Sequence, residues 1–382
     1  MKKFAFSFSL ICALLLSIIL VGETKTVKST TAIADYKSMV VIEQNTKRVL
    51  NEYNKDLQLP MASTTKIMTA LVVLKNCNNL EEEVLIDDRA IGIEGTSMYL
   101  RKGEKLTVKE LLCGMLLPSG NDASCALAYH FAPTMEEFAK MMNQEAESLG
   151  LKNTSFKNSH GLDEQNHFTS AYDLAVISAE AMKFDEFIEI VSSPFIQVKG
   201  AGGEQGETRY LKNKNKLLHC FEGTTGIKTG FTDNAGRCFV SSATKGNLKL
   251  ICVVLNCPNM FEVSQNLLAK AFENYNYVEL LPAYNCYRKI QVSDGKKNEV
   301  KLYTKQGFSY PLTQEEINFV AYEYNIPETL QAPIQKEQVV GKVEIKLDNQ
   351  VLFEENIYAV DEVKSINVIN NFKEILDQWF NR

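Results

Sequence analysis

Apolar and polar positions change period several times along the chain, and each change marks an element. SMVVIEQNTKRVLNEYN, from Ser38, sets two apolar runs around a polar Gln-Asn-Thr-Lys turn and predicts a β-hairpin. From Ser63 to about Leu74 apolar residues recur at helical spacing behind Pro60, and the Ser-Thr-Thr at the start suits a cap. A second helical zone, Val108 to Phe131, is interrupted by LLPSGNDAS, and MEEFAKMMNQEAESL at 135–149 predicts a further amphipathic helix ending near Gly150. Loops rich in asparagine, glycine and histidine follow, and another helix is expected from about Ser170. GIKTGFTDNAGRCFVSSATKGNLKLICVVLN then reads as three β-runs joined by turns at DNAG and TKGN. From about residue 276 to 360 the texture is short alternating strands without long helices, which predicts a separate β-rich domain. The fold class expected is α+β.

Both ends of the chain carry patterns of their own. MKKFAFSFSLICALLLSIILVGETK has a short basic start, an apolar run from Phe4 to Val21 and polar residues after it, which is the pattern of an export signal. A small-x-small site at Ala32-Ile33-Ala34 places cleavage after Ala34, so residues 1–34 are expected to be the signal peptide. At the other end, 361–382, a helical wheel gathers Ile366, Val368, Ile369, Phe372, Ile375, Leu376, Trp379 and Phe380 on one half and mostly polar residues on the other. Such a helix suits a membrane interface, with tryptophan at headgroup level; packing on the β-rich domain is the alternative.

Composition narrows the chemistry. A chain of 382 residues with a net charge of −6 and no basic block is long enough for more than one domain and offers no nucleic-acid surface. Of nine cysteines, Cys12 lies in the signal, and the other eight have no close-pair spacing for zinc. Several sit in apolar runs such as LLCGMLL and LICVVLNC and are expected to be buried free thiols. His130, His160, His167 and His219 are scattered, with no HExxH pair, so no metal or other cofactor is expected and the histidines read as structural or surface residues.

Three short segments carry candidate chemistry. Ser63 and Lys66 lie one helical turn apart at a predicted helix start. There the helix dipole and desolvation disfavour the lysine's charge, and a neutral amine can accept the serine proton. The spacing alone is weak, since it recurs at Ser242 to Lys245 and Ser293 to Lys296 in turn-like surroundings. Ser119 and Asn121 sit in the polar turn Pro118-Ser119-Gly120-Asn121-Asp122, a spacing also found at Ser264 and Ser365. Lys228-Thr229-Gly230 occurs once, inside a predicted strand, where an interior glycine marks close approach by another backbone or a ligand.

Together the three segments, with EGTSMYLRKGEKLTVKELLCGMLLPSGNDAS and LGLKNTSFKNSHGLDEQNHFTSAYDLA, resemble the serine penicillin-recognising enzymes, specifically low-molecular-weight penicillin-binding proteins of the D-alanyl-D-alanine carboxypeptidase type. The resemblance covers most of 36–275. It implies a catalytic domain over 35–275 with an antiparallel sheet flanked by helices plus a helical subdomain, then a β-rich accessory domain over 276–360 and an anchor helix over 361–382. It also implies a place at the outer face of the bacterial cytoplasmic membrane, with peptidoglycan stem peptides as substrates and β-lactam antibiotics as inhibitors.

By the same resemblance Ser63 attacks the peptide carbonyl between two terminal D-alanines, Lys66 takes its proton, Ser119 relays a proton to the leaving D-alanine, and Asn121 holds the substrate amide and orients Lys66. Lys228 supplies positive charge, Thr229 binds the terminal carboxylate, and the amides of Ser63 and Phe231 form an oxyanion hole. Gly230, Thr232 and Lys214 complete the substrate-binding set, and the loop Ile91 to Leu100 supports hydrolysis of the acyl-enzyme. One departure stands out. The family carries an arginine after the strand that follows Lys-Thr-Gly, and NCPNMFEVSQNLL has none; Lys214 is the candidate to compensate as a point charge. Two alternatives follow: a catalytically weak penicillin- or cell-wall-binding protein, and a β-lactamase, for which no deacylating glutamate is evident.

Overall fold

The computed structural model describes residues 36–199 and 208–366; the expected signal peptide and residues 367–382 of the expected anchor helix lie outside them. In chain order the first strands are β1 (Ser38–Glu43) and β2 (Val49–Tyr53), followed by helix α1 (Lys66–Asn76) behind a 3-10 turn at Ala62–Thr65. Next come β3 (Glu83–Leu85), β4 (Lys105–Thr107), α2 (Val108–Leu116), α3 (Asn121–Phe131), α4 (Met135–Ser148), α5 (Ala171–Ala181) and α6 (Asp185–Ser192). The hairpin β5 (Phe195–Lys199) and β6 (Thr208–Lys212) leads to β7 (Thr224–Thr232), β8 (Gly236–Lys245), β9 (Leu248–Leu255) and α7 (Met260–Asn274).

β2-β1-β9-β8-β7 form one antiparallel sheet. Helices cover both of its faces, and this is why all six residues of β1 are buried rather than every second one. Val40 and Ile42 point into the core shared with α1 and α5, while Met39 and Val41 point into the core shared with α7. The helical subdomain begins at a capping box in which Thr107 and Glu110 exchange side-chain and backbone bonds, and the Thr134 and Ser170 hydroxyls each accept one backbone amide at the starts of α4 and α5. The Ser-Thr-Thr ahead of α1 behaves differently from expectation. Its threonine hydroxyls bond backward, Thr64 to the Met61 carbonyl and Thr65 to the Ala62 carbonyl, because the segment is a 3-10 turn with Ala62 at φ +50°.

β10 (Tyr275–Leu281) follows α7 directly and pairs with β13 (Phe308–Thr313). β11 (Cys286–Ser293), β12 (Glu299–Thr304), β14 (Val320–Asn325), β15 (Thr329–Gln331), β16 (Val339–Leu347) and β17 (Gln350–Ala359) build a six-stranded sheet in the order β14-β16-β17-β12-β11-β15. It closes over its own core of Val300, Leu302, Val343, Ile345 and Ile357. Arg48 ties the β1–β2 hairpin to this region: its guanidinium bonds the Pro311 carbonyl and the Glu316 carboxylate and lies over the Tyr310 ring at 4.9 Å. Residues 361–366, assigned to a helix from the sequence, are extended instead. Val363 pairs with Ile334 and is buried in the third core, which holds this stretch against the sheet. All eight cysteines among the described residues are free thiols, and Cys113, Cys125, Cys238, Cys252 and Cys257 are buried.

Candidate active site

The 3-10 turn before α1 lies against the middle of β7, and the contact explains the glycine in that strand. A Cβ on Gly230 would stand 3.0 Å from the Met61 carbonyl oxygen, 3.0 Å from the Ser63 nitrogen and 3.1 Å from the Thr64 nitrogen, all backbone atoms. Only a residue without a side chain lets the turn and the strand approach this closely.

Lys66 opens α1 and is fully buried. Its Nζ lies 2.6 Å from Asn121 Oδ1, 2.7 Å from the His160 carbonyl oxygen and 3.1 Å from Ser63 Oγ. A neutral amine has two N–H donors and one lone pair. The two short contacts are to oxygens that can only accept, so they take the donors and leave the lone pair for the Ser63 hydroxyl. Burial lowers the Lys66 pKa from 10.5 to about 7, so the neutral form is well populated near neutral pH.

The partners of Lys66 come from two loops. Asn121 starts α3, donates from Nδ2 to the Glu94 carbonyl at 2.6 Å, and gives its own amide to the Thr96 carbonyl. The neighbouring Asp122 accepts from the amides of Met98 and Leu100 and from the Ser97 hydroxyl, and so fixes the 96–100 loop beside the nucleophile. His160 contributes its carbonyl, followed by Gly161 at φ +91°, where a Cβ would fall 2.0 Å from the Ala62 carbonyl oxygen. His167 braces the nucleophile's turn: its Nδ1 accepts from the Lys157 amide, which leaves the proton on Nε2 to reach Thr65 Oγ1 at 2.9 Å. Burial drives the His167 pKa down to about 4, which keeps this tautomer neutral.

A cleft of 840 Å³ opens over these groups. Ser63, Ser119, Lys214, Thr229, Gly230 and Phe231 line it, so most of the substrate-binding set expected from the sequence meets in one place. Ser119 takes the left-handed conformation at φ +72°, in the turn between α2 and α3. Lys228 is buried beneath the cleft, with Nζ on the Thr229 carbonyl at 3.0 Å; burial first, then repulsion from Lys66 and Lys214, holds its pKa well below the usual lysine value. Lys214 bonds Thr96 Oγ1 at 3.1 Å, and burial lowers its pKa as well. Thr232 is the exception. It does not line the cleft, because its hydroxyl is committed to the Asp163 carboxylate and to the Ala235 amide.

Sequence reasoning passed over Asp122, the His160 carbonyl, His167, and the cleft residues Tyr210, Lys216 and Arg237. The proximity of both histidines to the loop SHGLDEQNH was the available signal for two of them. Among the described residues no cluster of histidine, cysteine or carboxylate side chains could hold a metal, and none of the residues lining the cleft is acidic. Chemically the arrangement offers a serine hydroxyl facing an amine that can be neutral, under a cleft with positive walls.

This geometry has relatives. The family description "D-alanyl-D-alanine carboxypeptidase" matches residues 24–259, and "Penicillin-binding protein 5, C-terminal domain" matches residues 275–365. The D-alanyl-D-alanine carboxypeptidase DacF of Bacillus subtilis is 35% identical over 353 residues, covering 90% of each chain. DacC of Escherichia coli is 30% identical over 369 residues, covering 91% of this chain and 90% of its own. Among solved structures, penicillin-binding protein 5 from Haemophilus influenzae aligns with a TM-score of 0.71 at 31% identity, over 87% of this chain and 98% of its own. With the serine, the buried lysine and the two-domain architecture in place, the chain belongs to the D-alanyl-D-alanine carboxypeptidase family of serine peptidases.

Proposed function

We propose that Ser63 is the nucleophile and Lys66 its general base in removing the terminal D-alanine from peptidoglycan stem pentapeptides. The observation that carries this is the buried Lys66 amine, with Nζ 3.1 Å from Ser63 Oγ and within 2.7 Å of two further oxygens that can take its donors when it is neutral. Ser63 Oγ attacks the carbonyl between the two D-alanines and its proton passes to Lys66 Nζ. The tetrahedral oxyanion is held by the amides of Ser63 and Phe231, on the two segments that Gly230 allows to touch. Collapse expels D-alanine, whose nitrogen takes a proton through Ser119, and leaves an ester on Ser63. Water then hydrolyses the ester, with Lys66 again accepting a proton.

Asn121 orients Lys66 and the substrate amide, Lys228 and Lys214 add positive potential, and Thr229 binds the terminal carboxylate. β-Lactams enter the same path and stop at the ester. Export, with attachment to the outer face of the cytoplasmic membrane through 367–382, is part of the same proposal; its support is the sequence pattern at the two ends.

The test is D-alanine release from diacetyl-Lys-D-Ala-D-Ala by the full chain in mild detergent, beside Ser63→Ala, with labelled penicillin in parallel. Release and labelling that both vanish in Ser63→Ala are expected. Release that persists without Ser63 would overturn the assignment.

A further inference from the structure

We infer that Arg237 joins Thr229 in gripping the α-carboxylate of the substrate's terminal residue. The inference rests on the carboxypeptidase reading, which requires a substrate ending in a free carboxylate close to the bond that Ser63 attacks. The carboxyl carbon of a terminal residue lies within roughly 4 Å of the preceding carbonyl carbon, so its anchor must stand beside Ser63, Thr229 and Phe231. Arg237 stands next to one of these three. It is the second residue of β8 and pairs directly with Phe231, so in this antiparallel pair the two side chains share a face. Its guanidinium carbon lies 5.6 Å from the Phe231 ring, and it lines the same cleft as Ser63 and Thr229.

The other cations of the cleft are less suited. Lys66 and Lys228 are buried with lowered pKa values, and Lys214 is lowered in the same sense and bonded to Thr96. Lys212 and Lys216 also line the cleft, Lys216 leaning toward the Phe261 ring at 5.7 Å, but a single ammonium lacks the two-pronged geometry of a guanidinium for a carboxylate. Among the described residues Arg237 forms no ion pair and its side chain makes no hydrogen bond, although Glu262 lines an adjoining recess of 330 Å³ that Arg237 also lines. A guanidinium left without an anion at the wall of a cleft with no acidic residue is a site prepared for one.

The experiment compares Arg237→Gln and Arg237→Lys with the unaltered full chain on two substrate pairs. The first pair is diacetyl-Lys-D-Ala-D-Ala and its C-terminal amide; the second is benzylpenicillin and its methyl ester, read as the rate of Ser63 acylation. Arg237→Gln is expected to lower the acid-to-amide ratio of kcat/KM by roughly 10- to 100-fold, nearly all through the acid, with Arg237→Lys recovering part of it. The penicillin-to-ester ratio falls in parallel, and thermal unfolding is unchanged. Equal losses on acid and amide, or a ratio that does not move, would overturn the inference. If the unaltered chain labels with penicillin but releases no D-alanine, the proposed reaction fails, and the penicillin pair still decides the role of Arg237.

Discussion

The protonation of Lys66 gives a prediction whose size follows from the structure. Acylation of Ser63 needs the neutral amine, and burial places its pKa at about 7 instead of 10.5. The second-order rate constant for labelling by a fluorescent penicillin reports the free protein and isolates the acylation step. Measured from pH 5 to 9, it is expected to rise with a midpoint near 7 and then level off. Two pH units below the midpoint about one molecule in a hundred carries the neutral amine, so the rate at pH 5 should be about 1% of the plateau. Lys66→Arg keeps a cation but no group that can deprotonate, and is expected to lose roughly 1000-fold or more across the whole range. A rate that stays flat down to pH 5, or a midpoint above 9, would refute the reasoning that a buried, neutral Lys66 is the base.

Stability should carry the same signature. Unfolded Lys66 holds its proton up to about 10.5 and folded Lys66 releases it near 7, so between these values the unfolded state binds more protons and stability rises with pH. Relative to Lys66→Met, the unaltered chain should gain up to roughly 4 kcal/mol between pH 7 and 10 in urea unfolding; an unchanged difference would contradict the buried-lysine assignment. Gly230→Ala forces a few tenths of an ångström between β7 and the nucleophile's turn, and acylation is expected to fall roughly 10- to 100-fold. Gly246→Ala, at φ +57° with open space around it, is the control: it should cost about 1 kcal/mol in stability and leave acylation intact. Asp122→Ala removes the acceptor for the Met98 and Leu100 amides, and should raise hydrogen exchange across 96–100 and cost about 3 kcal/mol in stability. Protection that matches the unaltered chain would show that other contacts hold the loop.

The sequence by itself determined the elements and the chemical groups. Periodicity located the hairpin, α2 to α5 and the three strands from Thr224 to Leu255, because each buries a face whose spacing is written in the residue order. Ser63 and Lys66 were legible because one helical turn is a local distance, and Gly230 because a strand interior has a reason to avoid glycine.

Tertiary structure decided what surrounds them. The His160 carbonyl that takes a donor from Lys66 is a backbone atom, which no residue type announces, and it arrives from a loop 94 residues away. Asp122 looked like part of a polar turn until the amides of Met98 and Leu100 were folded onto it. Thr232 is not among the cleft-lining residues and its hydroxyl is bonded to Asp163, while 361–366 left the helix because a core beside Ile334 takes Val363. Arg237 is seven residues from Gly230 along the chain, yet only the pairing of β7 with β8 turns it onto the face of Phe231 and into the cleft. Local spacing follows from covalent geometry, whereas the neighbours of a buried charge follow from how distant segments pack, and that packing set both the protonation of Lys66 and the positive wall it faces.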